Sequence, residues 1–160
     1  MKCIVIIMTL LLCAVATAHA RAPRIGEAAA PFVLQDLTGN KIDTAQFKGR
    51  PTVIYFWNNL CGCTEQLIAL KTFITAQKAR HLAFVTVNEG QSTAIATSVI
   101  TANKLPYEAL LDSDLAIGKK QFGIKVLPTV FIIDRQGVLR EKLIGVVDNK
   151  KLEALIQRYQ

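Results

Sequence analysis

The amino-acid sequence predicts an α/β fold in which a mixed central sheet carries helices on both faces. Two apolar, β-branched runs, Thr52–Trp57 and Leu82–Val87, predict buried strands, and each is followed by a segment of helical character. A hairpin signal and a last helix then close the chain. Because 160 residues suit one core, we expect a single domain.

The first elements lie on either side of the Thr52–Trp57 strand. An exposed lead-in over 21–31 precedes Phe32–Leu34, which together with the turn Thr38–Asn40 predicts a short strand or hairpin. After Cys63 the apolar residues follow a helical period, so the cysteine lies where a strand passes into a helix. These apolar residues are Leu67, Leu70 and Ile74.

The second half of the chain predicts a strand, two helices, a hairpin and a terminal helix. Asp134–Gly137 is a turn sequence that joins two apolar runs, which is typical of a hairpin. The predicted bounds are Leu82–Val87 for the strand, Ser92–Asn103 and Asp114–Gln121 for the helices, Thr129–Ile133 and Val138–Ile144 for the hairpin, and Asn149–Tyr159 for the last helix.

Residues 1–20 have the character of a secretory signal peptide. Lys2 precedes the apolar run Ile4–Val15, and the segment ends in the small-residue sequence Ala18-His19-Ala20. The run is shorter than the roughly 20 residues that a membrane-spanning helix needs. We therefore expect cleavage near Ala20, a mature domain over 21–160, a periplasmic or otherwise exported protein, and no stable membrane insertion after cleavage.

The charge distribution argues against a nucleic-acid partner. The chain has 19 Lys and Arg against 12 Asp and Glu, a formal net charge of +7, and cleavage removes one of these positive charges with Lys2. The remaining basic residues are scattered among acids and form no dense run with interleaved aromatics. This pattern favours a solvated surface over a nucleic-acid site.

The cysteine content indicates redox chemistry. Cys3 and Cys13 leave with the signal segment, so the mature chain keeps only Cys61 and Cys63. A disulfide across Gly62 closes too short a loop to stabilise the fold much, and in an oxidising compartment the pair is predicted to be reactive. A helix N-terminus favours the thiolate, and a second nearby thiol can resolve a mixed disulfide.

Several segments together resemble one known family. These segments are Gly26–Pro31, Phe56-Trp57, the cysteine pair, Val126–Thr129 and Asp134–Gly137, and they are similar to the TlpA/ResA branch of the thioredoxin superfamily over nearly the whole mature chain. The resemblance implies a thioredoxin-like fold and a thiol-disulfide oxidoreductase. It also implies a monomer that acts on protein thiols or disulfides with a redox partner protein, and no cofactor or metal.

The resemblance also implies roles for individual residues. Cys61 corresponds to the attacking thiol and Cys63 to the resolving thiol, although Cys63 would hold the better stabilised thiolate if the helix begins there. Pro128 matches a cis-proline that contacts the substrate backbone in the family. The implied substrate-binding residues are therefore Pro128, Leu127 and Trp57.

The sequence departs from the family at three places. Where CxxC is expected, the chain has either lost one residue between the cysteines or replaced the second cysteine by Thr64, and the flanking residues favour the loss, which gives CxC. Tyr55 stands where thioredoxins have a buried Asp, and Gln66 stands where related reductases often have a Glu, so that Glu65 is the only carboxylate nearby. The shorter ring is harder to close, and we expect Gly62 to relieve it through backbone conformations closed to other residues. Residual strain makes a disulfide more oxidising, which favours an oxidant or disulfide shuffler over a strong reductant.

Two alternative functions stay open. Gly62-Cys63-Thr64 resembles the GCT segment of one peroxiredoxin branch, in which Cys63 would be the peroxidatic residue, but the expected Thr and Arg have no counterparts at Leu60 or near Pro128. Two thiolates could also hold Cu(I) in a thioredoxin-like copper carrier. Such carriers add a distal His, and the mature chain offers only His81.

Overall fold

The structure is a computed structural model that describes residues 21–159. The predicted signal peptide therefore lies outside the described residues. Among those residues, no helix combines the length and the apolar character that crossing a membrane requires. The elements, in chain order, are β1 (Val33–Asp36), β2 (Lys41–Asp43), a 3₁₀ helix (Thr44–Phe47), β3 (Thr52–Trp57), α1 (Cys63–Lys78), β4 (Ala83–Glu89), α2 (Thr93–Ala102), β5 (Glu108–Asp112), a π-helical segment (Ala116–Gln121), β6 (Thr129–Ile133), β7 (Leu139–Ile144) and α3 (Asn149–Arg158).

The strands form one mixed seven-stranded sheet in the order β2-β1-β5-β4-β3-β6-β7. Strand β3 is parallel to β4, and β4 is parallel to β5, whereas the remaining neighbours are antiparallel. The prediction of a mixed sheet is confirmed. The sequence did not predict β5, whose Glu-Ala-Leu-Leu-Asp sequence has no β-branched residue and becomes a strand by pairing with β4 and β1.

Helical segments lie on both faces, but the three α-helices share one of them. Val53, Tyr55 and Trp57 of β3 form a core cluster with side chains from α1, α2 and α3, whereas the alternate residues Ile54 and Phe56 pack with residues of the two short helical segments. Right-handed crossovers from β3 to β4 and from β4 to β5 run in the same direction along the sheet, which places α1 and α2 on the same side.

The predicted element bounds differ from the structure by one or two residues at several strands and helices. Strands β3 and β6 have the predicted bounds, and the predicted helix over 92–103 becomes α2 with Ser92 as its N-cap. The predicted helix over 114–121 is the shorter π-helical segment. The lead-in is not free of the sheet, because Ala28 forms a β-bridge with Val138.

Candidate active site

The two cysteines lie at the carboxyl end of the central strand. Strand β3 ends at Trp57, the segment 58–62 follows it, and α1 begins at Cys63. The predicted strand-to-helix junction is confirmed. The free N–H groups of the first helical turn therefore lie beside a sulfur atom, which favours a thiolate there.

Cys61 and Cys63 form a disulfide with their Cα atoms 5.1 Å apart. The N–H of Cys63 donates a hydrogen bond to the Cys61 carbonyl, which closes a three-residue turn around Gly62. Gly62 has a φ of −30° and a ψ of 24°, outside the left-handed region that favours glycine. A Cβ at this position would meet only the Glu65 carboxylate, at 3.7 Å. Space therefore does not require a glycine here, and the expectation that Gly62 eases the short ring through its backbone stays a prediction.

The two sulfurs have different surroundings. Cys63 is the first residue of α1 and is completely buried, whereas Cys61 is half-buried and follows Leu60, which is 85% exposed. The Cys61 Sγ lies 3.5 Å from the Asn58 carbonyl oxygen, an acceptor that disfavours a thiolate at this position. An incoming nucleophile therefore reaches Cys61 more easily, and a thiolate on Cys63 has the helix N-terminus to stabilise it.

Tyr55 and Gln66, the two residues that replace the family carboxylates, contact each other behind Cys63. The Tyr55 hydroxyl donates to Gln66 Oε1 at 3.0 Å and lies 3.4 Å from the Cys63 carbonyl oxygen. Burial, with smaller contributions from Tyr107 and Glu65, raises the pKa of Tyr55 above its ordinary value. Tyr55 is therefore a neutral donor throughout the physiological pH range.

The amide of Gln66 extends this contact to the loop before α3. Its Nε2 donates to the Val147 carbonyl oxygen and to Asn149 Oδ1, the latter at 3.3 Å. Both polar atoms of the Gln66 amide thus have partners, and the hydroxyl of Tyr55 has its acceptor. We call Tyr55 and Gln66 the neutral pair.

The same loop contacts the residues predicted to bind substrate. The Leu127–Pro128 peptide bond is cis, as expected from the family resemblance, and the Gly145 N–H donates to the Pro128 carbonyl at 2.7 Å. Leu127 is partly buried against the core cluster that contains Cys63. Trp57 lies in that cluster with no exposed surface, so in this structure it supports the site from beneath and presents no surface to a substrate.

Sequence reasoning missed the amide side chains that hold the segment 58–62. Gln91, from the connection between β4 and α2, accepts a hydrogen bond from the Asn59 N–H at 3.1 Å and donates to Asn59 Oδ1. Asn88 donates to the same Gln91 oxygen at 2.9 Å. No spacing signal connects residues 32 positions apart, and only the parallel pairing of β3 with β4 brings them together.

A second polar cluster lies where β4 and β5 end. Asp112 is fully buried and accepts hydrogen bonds from the backbone N–H groups of Ile117 and Gly118, at distances from 2.7 to 3.2 Å. Burial, together with the adjacent Asp112, raises the pKa of Glu89 to about 9. Glu89 Oε1 is buried without a hydrogen-bond partner among the described residues. We call Glu89 and Asp112 the acid pair.

The model of the AhpC/TSA family matches residues 25–142, which include every element from β1 to β6 and the cysteine pair. The chain belongs to the AhpC/TSA family. This membership agrees with the family resemblance that the sequence motifs indicate.

Three relatives illustrate this likeness. The AhpC/TSA chain is 25% identical over 139 residues to "Thiol-disulfide oxidoreductase ResA" of Bacillus anthracis, covering 84% of this chain and 78% of the relative. It is 29% identical over 128 residues to "Sporulation thiol-disulfide oxidoreductase A" of Bacillus subtilis (strain 168), covering 78% and 76%. A thiol:disulfide interchange protein of the thioredoxin family from Chlorobium tepidum TLS has the same fold, with a TM-score of 0.74, 17% identity, and coverage of 86% and 99%.

The surroundings of the AhpC/TSA cysteine pair bear on the two alternative functions. Over residues 21–159, no group of three or more His, Cys, Asp and Glu side chains could hold a metal ion. His81 is exposed and lies beyond the far end of α1 from the cysteines. Leu60, where a peroxiredoxin has its Thr, is turned to solvent. Among the described residues, we therefore find no contact that favours the peroxidase or the copper carrier.

Proposed function

We propose that this protein is an exported thiol-disulfide oxidoreductase that exchanges disulfides with protein substrates through Cys61 and Cys63. The observation that carries the proposal is the disulfide between an accessible Cys61 and a buried Cys63 at the start of helix α1. Membership of the AhpC/TSA family and the relatives described as thiol-disulfide oxidoreductases support it.

The oxidised protein accepts electrons in two steps. A substrate thiolate attacks the Cys61 sulfur, the bond between Cys61 and Cys63 breaks, and its electron pair goes to Cys63 as a thiolate near the helix N-terminus. A second substrate thiolate then attacks the substrate sulfur of the mixed disulfide and releases Cys61. The substrate gains a disulfide, and the protein becomes a dithiol. The reverse reaction begins with attack by the Cys61 thiolate, and Cys63 resolves the mixed disulfide.

The surface around Cys61 suits a polypeptide substrate. We assign Pro128 and Leu127 to substrate contact because they lie beside the loop that Gln66 ties to the cysteine-bearing helix. Exposed apolar side chains stand next to both parts of the site, Leu60 beside Cys61 and Val126 before Leu127, at 85% and 51% exposure. Apolar surface of this kind favours a protein partner over a small polar thiol.

We also propose a direction of exchange, a cellular location and an oligomeric state. They rest on the CxC spacing, the signal segment and the family resemblance, respectively. The small disulfide ring favours an oxidant or disulfide shuffler, the role expected from the sequence. We propose that the signal segment is removed near Ala20, and that the domain over 21–160 acts as a monomer in the periplasm or another exported compartment. Equilibration with glutathione tests the direction, since a potential as low as that of thioredoxin, about −270 mV, would contradict an oxidant.

Single-cysteine variants test the assignment of the two sulfurs. Each variant, Cys61→Ala and Cys63→Ala, is reduced and mixed with a disulfide-containing peptide. We expect Cys63→Ala to accumulate a mixed disulfide on Cys61 at least about tenfold faster than Cys61→Ala does on Cys63, because Cys63 is buried. Equal or reversed rates would overturn the assignment. If Cys61→Ala still consumed peroxide rapidly, the alternative function as a peroxiredoxin-like peroxidase that uses Cys63 would be favoured.

A further inference from the structure

The segment 58–62 carries Cys61 and is mostly exposed, so something must hold its backbone in place. Within the segment, the Leu60 N–H donates to Asn58 Oδ1 at 3.0 Å, which forms a local turn. Among residues 21–159, Gln91 is the only residue from a distant part of the chain whose side chain hydrogen-bonds to this segment. Apart from the disulfide and the hydrogen bond from the Cys63 N–H to the Cys61 carbonyl, one amide side chain therefore ties this segment to the sheet.

The contact between Gln91 and Asn59 requires an amide. The Asn59 backbone N–H can only donate, so the Gln91 oxygen must face it, as observed at 3.1 Å. The Gln91 nitrogen then faces the Asn59 side chain and donates to its Oδ1. One side chain thus holds both the backbone and the side chain of Asn59, two residues before Cys61.

The Gln91 amide is itself oriented by the sheet. Asn88 is completely buried in β4, directly opposite Trp57 in the parallel register, and its Nδ2 donates to Gln91 Oε1 at 2.9 Å. The Gln91 oxygen therefore accepts two hydrogen bonds, while its nitrogen is directed to Asn59. A continuous series of hydrogen bonds connects the carboxyl end of strand β4, through Asn88 and Gln91, to the segment that carries Cys61.

We propose that Gln91 is a positioning residue that sets the equilibrium between the disulfide and the dithiol by holding Asn59. The inference rests on the proposed exchange role of Cys61 and Cys63. In the dithiol, a held segment keeps the Cys61 sulfur near Cys63, which raises the effective concentration of one thiol at the other. Without the Gln91 contacts, the dithiol gains backbone freedom that closing the disulfide must remove. The disulfide then becomes easier to reduce.

Gln91→Met tests this proposal, because methionine keeps the length of the side chain and removes its hydrogen bonds. The measured reaction is the oxidised protein with two glutathione molecules, giving the dithiol protein and glutathione disulfide. We expect its equilibrium constant to rise about three- to tenfold in Gln91→Met, since a net hydrogen bond is worth a factor of this order. The matched control, Gln136→Met, changes a glutamine in the turn between β6 and β7, away from the cysteines, and should leave the constant unchanged.

Asn59→Ala provides a second variant at an exposed position where folding is not at risk. It removes the Oδ1 acceptor and keeps the backbone N–H, so a smaller rise in the same direction is expected.

An equilibrium constant within twofold of the wild type in Gln91→Met, with only the thermal midpoint altered, would overturn the proposal and leave Gln91 a purely structural role. A rise in Gln91→Met without one in Asn59→Ala would also contradict it. A wild-type disulfide that neither glutathione nor dithiothreitol reduces would contradict the proposed function, and this inference with it.

Discussion

The neutral pair and the acid pair are two buried polar clusters near the same edge of the sheet, and they are built in opposite ways. Behind Cys63, Tyr55 and Gln66 have hydrogen-bond partners for their polar atoms and no group that ionises at physiological pH. At the ends of β4 and β5, Glu89 and Asp112 share a site in which one carboxyl keeps its proton up to about pH 9. The acid pair therefore makes the stability of the fold depend on pH, whereas the neutral pair adds no ionisable group beside the cysteines.

Changing the acid pair should give the largest effect. Glu89 titrates near pH 9 when folded and near its ordinary value of 4.5 when unfolded, so the unfolded state releases a proton that the folded state keeps. Stability therefore falls as the pH rises from about 4.5 to about 9. We expect Glu89→Gln to remove this decline and to raise the free energy of unfolding at pH 9 by something on the order of 3 kcal/mol relative to wild type.

Denaturant unfolding at about pH 5, 7 and 9 measures this effect. Glu108→Gln, an exposed glutamate on the neighbouring strand β5, is the matched control and should follow the wild-type curve. Parallel curves for Glu89→Gln and wild type across this range would show that the acid pair does not hold the proton.

Removing the donor of the neutral pair should give the next largest effect. Tyr55→Phe deletes the hydroxyl and leaves the buried oxygen of Gln66 without its partner, which should lower the free energy of unfolding by about 2 kcal/mol. Because no charge is lost, the pH dependence of disulfide reduction should keep its wild-type shape. Tyr107→Phe serves as the control, since the Tyr107 hydroxyl donates to the Leu67 carbonyl at 2.7 Å. A changed pH profile in Tyr55→Phe alone would mean that the phenol takes part in proton transfer.

Placing a carboxyl in the neutral pair should give the smallest effect. Gln66→Glu puts an ionisable group one helical turn from Cys63, where a carboxylate disfavours the departing thiolate. We expect reduction of the disulfide to slow about fivefold once that carboxyl ionises, with a second inflection in the pH profile. Gln77→Glu, at the other buried glutamine of α1, is the control and should add no inflection. An unchanged profile in Gln66→Glu would show that a carboxylate at this position does not affect the departing thiolate of Cys63.

The sequence predicted the sheet and the cysteine junction well, because Thr52–Trp57 and Thr129–Ile133 are apolar, β-branched runs whose burial decides their structure. The sequence did not predict strand β5, because this segment becomes a strand by pairing with β1 and β4 on its two sides. Within the site, Tyr55 and Gln66 stood out as departures from the family, but their mutual contact depends on how α1 packs on β3. The contact between Gln91 and Asn59 depends on the pairing of β3 with β4, which no local pattern encodes.

The central claim is that exchange begins at Cys61 with Cys63 as the leaving group. The most direct measurement reacts the oxidised wild-type protein with a cysteine-containing peptide, quenches the reaction in acid at short times, and maps the mixed disulfide by mass spectrometry. We predict that the peptide is found on Cys61 while Cys63 is a free thiol. A peptide found mainly on Cys63, or reduction of the protein without any peptide adduct on Cys61, would contradict the claim.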